Sequence, residues 1–438
     1  MMQRSKTALV LAGGGLAGAS YEIGAMCAID QLLEQLSVNE FDIYVGTSAG
    51  GLVAACLANN ISPRTLLSVL DNAILGIDQL EPHHLYALNL PSLLDRLSRL
   101  PGAIGQIIRR TVAERSSLSL IDLVETLAAA LPSGLYDTVM LEGYLRSALS
   151  GPGRTNNFAE LPHQLAIVAT DLDTGERAVF GQPPLRDVPI SLAVCASAAI
   201  PLFYRPVRIG DHDYIDGGIR GTASLDVAIE AGAELIVCVN PMVPYDNRLH
   251  RPGGGIGDDG IPSIGGQVFR TFIHAGLHYH IKQVRRRHPE VDIILIEPNR
   301  NDQVMFSDNT MSYQTRLRIA RHGYETVAHH LNEHYAYYRE LMARHGVKID
   351  NGRITQDLHN LRVAGDDVRY LQAALASDGS LHTAPAGLAH TLAELERLVT
   401  RFEEGRAAEA RATEARAAKA RVEAQRASRS TRSTKAAR

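Results

Sequence analysis

The sequence predicts an α/β fold built around a parallel sheet with right-handed crossovers. Two observations carry the prediction. An apolar run, "TALVLA" at 7–12, ends in a glycine loop and opens a helix. A second run, "FDIYV" at 41–45, repeats the pattern, with a second helix starting at Ser48. A strand that returns parallel to its neighbour needs a crossover, usually a helix, and that crossover is right-handed.

The first helix is expected to reach about Gln35. Residues 62–150 read as mostly helical. Leu93, Leu94, Leu97 and Leu100 share one face, and Ile104, Ile107 and Ile108 another, with arginines between. Strands are expected at 163–172 and 177–181, joined by the turn Asp173-Thr174-Gly175. Residues 190–199 read as a buried helix stopped by Pro201. "DYIDGG" at 213–218 reads as a strand entering a turn, and "ELIVCVNP" at 234–241 as a buried strand. The glycine-rich stretch 251–266 reads as a flexible loop. A His- and Arg-rich helix over about 268–288, a strand at 291–298 and a long helix to about Arg344 follow. Residues 346–385 carry no clear period. From Leu388, the positions Leu392, Leu395, Val399 and Phe402 mark an amphipathic helix.

The chain has 438 residues, 45% hydrophobic, with a formal net charge of −4. It can bury a large core and is not generally basic, so nucleic acid is not an expected partner. Cys27, Cys56, Cys195 and Cys238 lie far apart in apolar stretches without a C-x-x-C pair, which suits buried reduced thiols. The apolar run after Arg4 and Lys6 is short and dissolves into glycines, so it reads as a strand and not as a signal peptide. No apolar run approaches the ~18 residues of a membrane span. A cytoplasmic protein is expected. The last segment, 403–438, holds ten basic and five acidic residues among alanine and serine. Its charge of +5 leaves −9 for the remainder of the chain. Such a tail can be drawn to anionic head groups, which gives peripheral contact with a membrane surface, or it can be an inert tail; both readings stay open.

Two motifs carry chemistry. Gly46-Thr47-Ser48-Ala49-Gly50 fits G-x-S-x-G where a strand turns into a helix. Small residues at Gly46 and Gly50 permit the sharp turn that thrusts a serine hydroxyl outward. Gly13-Gly14-Gly15-Leu16-Ala17-Gly18 sits on the other strand-to-helix turn. Its glycines also fit a dinucleotide loop, but that reading needs an acidic residue at the end of the second strand, where Ser48 stands instead. Nor does the loop carry a P-loop lysine. The better reading is an oxyanion hole, with the amides of Gly14 and Gly15 facing a carbonyl attacked by Ser48. No histidine lies in a recognisable strand-end context. The better candidate for the base is Asp216, at a strand end before Gly217 and Gly218.

These pieces, with "ASAAIP" at 196–201, resemble the patatin-like phospholipase family. The resemblance covers about 7–240 and continues more loosely to about 340. It implies a three-layer α/β/α sandwich with a mostly parallel sheet. It also implies a Ser–Asp dyad without histidine that hydrolyses acyl esters of lipids, in the manner of a phospholipase A or lysophospholipase. Ser48 would be the nucleophile, Asp216 the base, and Gly13, Gly14 and Gly15 the oxyanion loop, supported by Gly18, Gly46, Gly50, Gly217 and Gly218. One residue departs: many members carry Arg or Lys before the last glycine of the first motif, and this chain has Ala17. The alternative function is a non-catalytic lipid- or protein-binding member of the same fold.

The expected organisation is a catalytic core at 7–240, its C-terminal part at 241–345, a helical extension at 346–402 and the tail at 403–438. The expected partner is a lipid or acyl-ester substrate, and no cofactor is expected. His274 and His278 share a helix face, with His280 close by, but no carboxylate is suitably spaced along the sequence, so no metal is expected. The same holds for "HHLNEH" at 329–334.

Overall fold

The computed structural model describes residues 4–70, 78, 80–90, 98, 132–249, 254–307 and 311–364. The chain divides into two units, Met1–Ala376 and Ser377–Arg438. The second unit lies wholly outside the described residues. So do the leucine and isoleucine positions between 93 and 108, the amphipathic helix expected from Leu388, and the basic tail.

The strands are β1 (Thr7–Leu11), β2 (Ile43–Thr47), β3 (Ala87–Leu88), β4 (Gly134–Asp137), β5 (Gln164–Asp171), β6 (Arg177–Phe180), β7 (Leu202–Tyr204), β8 (Val207–Ile209), β9 (His212–Asp216), β10 (Leu235–Val239) and β11 (Asp292–Ile296). The main sheet runs β11-β10-β1-β2-β5-β9-β8, with β6 also paired to β5. From β11 to β5 every pairing is parallel. β6 and β9 run antiparallel to β5, and β8 antiparallel to β9.

Every residue of β1, β2 and β10 is buried. Parallel strands read as continuous apolar runs when helices cover both faces of their sheet. Along β1 the side chains alternate between two cores. Leu9 and Leu11 pack with α1 (Gly15–Leu32), α2 (Ala49–Ala58) and the helices Ile190–Ser197 and Arg316–Glu333. Ala8 and Val10 pack on the opposite face, against Leu225 and Val227 of the Leu225–Glu230 helix and Leu277 and Ile281 of the Ile261–Arg287 helix. The unit is therefore a three-layer α/β/α sandwich.

Several expected elements shift. The helix expected from about 268 begins at Ile261, inside the glycine-rich stretch, after Gly260 in the left-handed region (φ 82°) and with Pro262 in its first turn. Its stability comes from burying Ile273, Leu277, Ile281 and Val284 at helical spacing, which overrides the weak propensity of Gly265 and Gly266. The single helix expected to Arg344 is two, Arg316–Glu333 and Tyr335–Arg344, because His334 leaves the helical region. Within 346–385 a helix occupies Gly352–Ala364, seated by Ile354 and Leu358. A second sheet, β3-β4-β7, lies within and beyond the stretch expected to be helical. Its strands, two to four residues long, are too short to show an alternation.

Candidate active site

β6 occupies one edge of β5, where Val179 and Ala178 face Val168 and Ala169. The other edge of β5 is shared by two strands. Thr47, at the end of β2, stands opposite Val168, and Asp216, at the end of β9, stands opposite Ala169. β2 is parallel to β5 and β9 antiparallel, so the two strands end head to head. Ser48 and Asp216, which are 168 positions apart in the chain, meet at that junction.

Ser48 has φ 54° and ψ −123° and is only 2% exposed. A non-glycine residue in so sparsely populated a region costs on the order of 1–3 kcal/mol, which the surrounding structure must offset. Two contacts do so. The Ser48 amide donates to Ser197 Oγ at 2.7 Å, and Ser197 Oγ donates to the Val168 carbonyl at 2.5 Å. The turn also needs close backbone approach: a Cβ on Gly46 would lie 2.5 Å from the Gly50 carbonyl oxygen, and one on Gly50 would strike the Leu11 carbonyl.

Asp216 is buried. Its amide donates to the Ala199 carbonyl at 3.0 Å, and its Oδ1 accepts from the Gly218 amide at 2.7 Å. Burial raises its carboxyl to about 6, partly offset by the neighbouring Ser48 hydroxyl and the Gly218 amide. A group with this pKa is a proton acceptor poised near neutrality. The glycine after it fits closely, since a Cβ on Gly217 would strike the Val168 carbonyl.

The loop after β1 completes the site. The Gly13 amide donates to Thr222 Oγ1 at 3.1 Å, which fixes the loop but occupies that donor. Gly14 caps α1 and Gly15, in the left-handed region at φ 62°, begins it. Among the described residues neither the Gly14 nor the Gly15 amide donates to a protein acceptor. First-turn amides of a helix lack intrahelical partners and favour negative charge. Pro241, after β10, packs against this loop, close to Gly14 and Gly18.

Gly13, Gly14, Gly15, Ser48 and Asp216 line one cavity of about 430 Å³. Its other walls are largely apolar, from Ile200, Phe203, Met242, Phe269 and Ile273. No histidine is among its described lining residues. Arg270 also lines it, 4% exposed, with Nη2 donating to the Met305 carbonyl at 2.7 Å. Burial lowers this guanidinium to about 10, which leaves it cationic at neutral pH. No carboxylate among the described residues forms an ion pair with it.

Sequence reasoning gave no role to Ser197 or Thr222, and did not single out Arg270. Ser197 lies inside the quoted "ASAAIP", where a hydroxyl amid small apolar residues was the available signal. Arg270 had none, since it sits in a stretch rich in arginine and histidine. Two groups of described residues bring metal-ligating atoms within 4.8 Å of one another, His274–His278–Glu297 and Asp171–Asp173–His212. Neither includes Ser48 or Asp216.

The profile of the family described as patatin-like phospholipase matches residues 9–229. A probable lipid hydrolase, 463L, of Invertebrate iridescent virus 6 is 22% identical over 222 residues, 51% of this chain and 63% of that protein. The chain thus spans less than two thirds of the length of that relative. Among solved structures, VipD from Legionella pneumophila is similar at 18% identity and TM-score 0.32, over 76% of this chain and 67% of that one. ExoU from Pseudomonas aeruginosa, in complex with SpcU, is similar at 16% identity and TM-score 0.31, over 76% and 53% of the two chains.

Proposed function

The chain belongs to the patatin-like phospholipase family, and from that premise we propose that it is a serine acyl hydrolase acting on phospholipids or lysophospholipids. One observation carries the reading. A serine held in a strained strand-to-helix turn adjoins a buried carboxyl with a pKa near 6, in a largely apolar cavity that Gly14 and Gly15 at the start of α1 also line.

The mechanism follows from these groups. Ser48 Oγ attacks the ester carbonyl carbon as its proton passes to Asp216. The carbonyl oxygen gains the negative charge and is held by the Gly14 and Gly15 amides. The intermediate collapses, the carbon–oxygen bond to the leaving alcohol breaks, and Asp216 returns the proton to that oxygen. Asp216 then takes a proton from water, the resulting hydroxide attacks the acyl-enzyme, and the fatty acid leaves as Ser48 is reprotonated. No histidine is needed in this cycle. Arg270 is assigned to an anionic head group because it is a buried cation at the cavity wall; the Asp302 carboxylate acts on it electrostatically without forming an ion pair. It stands in for the charge that Ala17 removes from the glycine loop.

Labelling with a fluorophosphonate tests the reading. The wild-type chain should be labelled at Ser48 and should hydrolyse a short p-nitrophenyl ester. Ser48→Ala and Asp216→Asn should each lose several orders of magnitude in turnover while remaining folded. Unlabelled wild-type protein that still binds lipid vesicles would favour the non-catalytic lipid-binding alternative. A single His→Ala variant as inactive as Ser48→Ala would revive a triad.

A further inference from the structure

The sequence offers no carboxylate spaced to complete a metal site with His274 and His278. The fold supplies one. The two histidines are four residues apart on the Ile261–Arg287 helix and so share a face. β11 ends at Ile296, and Glu297, the next residue, points at both. His278 Nε2 lies 2.9 Å from Glu297 Oε2 and His274 Nε2 lies 3.8 Å from Glu297 Oε1. The imidazole rings are neighbours, with centroids 4.1 Å apart. All three ligand atoms lie within 4.8 Å of one another. Ligands about 2.0–2.1 Å from a tetrahedral zinc ion stand roughly 3.4 Å apart, so small side-chain rotations bring the three onto one ion.

A second observation points the same way. Asn240, fully buried after β10, donates from Nδ2 to Glu297 Oε1 at 2.7 Å. Its own Oδ1 accepts from the Met242 amide at 3.2 Å. A carboxylate oriented by a buried amide is the outer support that metal-ligating carboxylates usually have. An ordinary surface ion pair needs no such support.

We propose that His274, His278 and Glu297 form a binding site for a divalent transition-metal ion, zinc being the best match. Two imidazoles and one carboxylate suit zinc, cobalt or nickel, whereas magnesium and calcium demand mostly oxygen. Three protein ligands leave a fourth position for water. The site lies outside the Ser48–Asp216 pair, so its chemistry is not that of ester cleavage. It joins the Ile261–Arg287 helix to the edge strand β11. The same helix brings Phe269, Arg270 and Ile273 to the cavity wall. A bound ion therefore staples that wall to the sheet.

The test uses the untagged full-length chain, stripped of metal with chelator. Titration with Zn²⁺ should show a site whose affinity falls at least about tenfold in His278→Ala and in Glu297→Gln. His212→Ala, at the other cluster, should leave that site unchanged. Mg²⁺ at the same concentrations should not compete. So that the test does not depend on the folding of a variant, the wild-type chain is also titrated with Co²⁺, which should give the visible absorption of a low-symmetry nitrogen- and oxygen-ligated ion, removed by Zn²⁺. Zinc affinity unchanged in His278→Ala, or a wild-type Co²⁺ spectrum no different from aqueous cobalt, would overturn the proposal and leave a simple histidine–glutamate pair.

Discussion

In the proposed dyad, the Asp216 carboxyl would serve chemistry at the expense of stability. Its pKa rises from 3.8 to about 6 because burial penalises the charged form. In the proposed mechanism only the carboxylate form of Asp216 accepts the proton of Ser48. kcat/KM on a soluble ester should therefore fall tenfold per pH unit below about 6 and level off above it, as a pH–rate profile will read. Stability runs the opposite way. The stabilisation of the neutral form is complete below about 4 and is lost as pH rises through about 6. At pH 8, Asp216→Asn should be more stable than wild type, by on the order of 2–3 kcal/mol, while turning over almost nothing. Denaturant titration of both proteins at pH 4 and pH 8 checks the sign: a gain equal at both pH values would remove ionisation as its cause. Arg270 is the second residue whose burial implies a task. Arg270→Met should raise KM for an anionic phospholipid about 10- to 100-fold more than KM for a neutral p-nitrophenyl ester, the value of a charge-assisted hydrogen bond. Equal effects on both substrates would assign Arg270 to packing alone.

Among elements, α1 decides most, since its first turn faces the cavity. It is seated by the Arg316–Glu333 helix, which lies beyond the segment matched by the family profile. The two backbones touch at facing glycines. A Cβ on Gly24 would strike the Ala320 carbonyl, and one on Gly323 would come 2.5 Å from the Tyr21 carbonyl oxygen. Helix propensity favours alanine over glycine by about 1 kcal/mol. At this crossing the clash wins, because backbone atoms cannot rotate away as a side-chain tip can. Gly24→Ala should cost about 2–3 kcal/mol net, read as a lower urea midpoint. A stabilised Gly24→Ala variant would mean that the helices can separate cheaply.

At the scale of the whole molecule, the Ile261–Arg287 helix faces two ways. Phe269, Arg270 and Ile273 line the cavity, while Ile261, Val268 and Phe272 are exposed at 85%, 62% and 68%. None of the described helices is long and apolar enough to cross a membrane. Under the proposed function, exposed apolar side chains near the cavity would suit a surface that rests on a bilayer. The double variant Val268→Glu/Phe272→Glu should lower turnover of phospholipid vesicles at least about tenfold, while p-nitrophenyl ester turnover stays within about twofold. Truncation after Phe402 removes ten basic and five acidic residues and should weaken sedimentation with anionic vesicles at low salt, about 1 kcal/mol per basic residue near the surface less the repulsion of the acids. Vesicle turnover unaffected by the double variant would move membrane contact away from this helix, and unchanged sedimentation would remove the tail from it.

The sequence by itself determined the α/β alternation, the two strand-to-helix turns and the residues standing on them. Those are local properties: an apolar run, a glycine at a turn and a helix start are written in neighbouring residues. Ser48, the glycine loop and the Asp-Gly-Gly turn were legible for that reason. Short strands such as β3 and β7, and the early start of the Ile261–Arg287 helix, were not, because their stability comes from partners distant in the chain. Only the tertiary structure decided that β2 and β9 end against one edge of β5, which brings Ser48 to Asp216. It alone assigned Ser197 to the Ser48 amide, turned Arg270 into the cavity and set Glu297 against His274 and His278. Each of those contacts joins residues whose separation along the chain carries no period, so only packing brings them together.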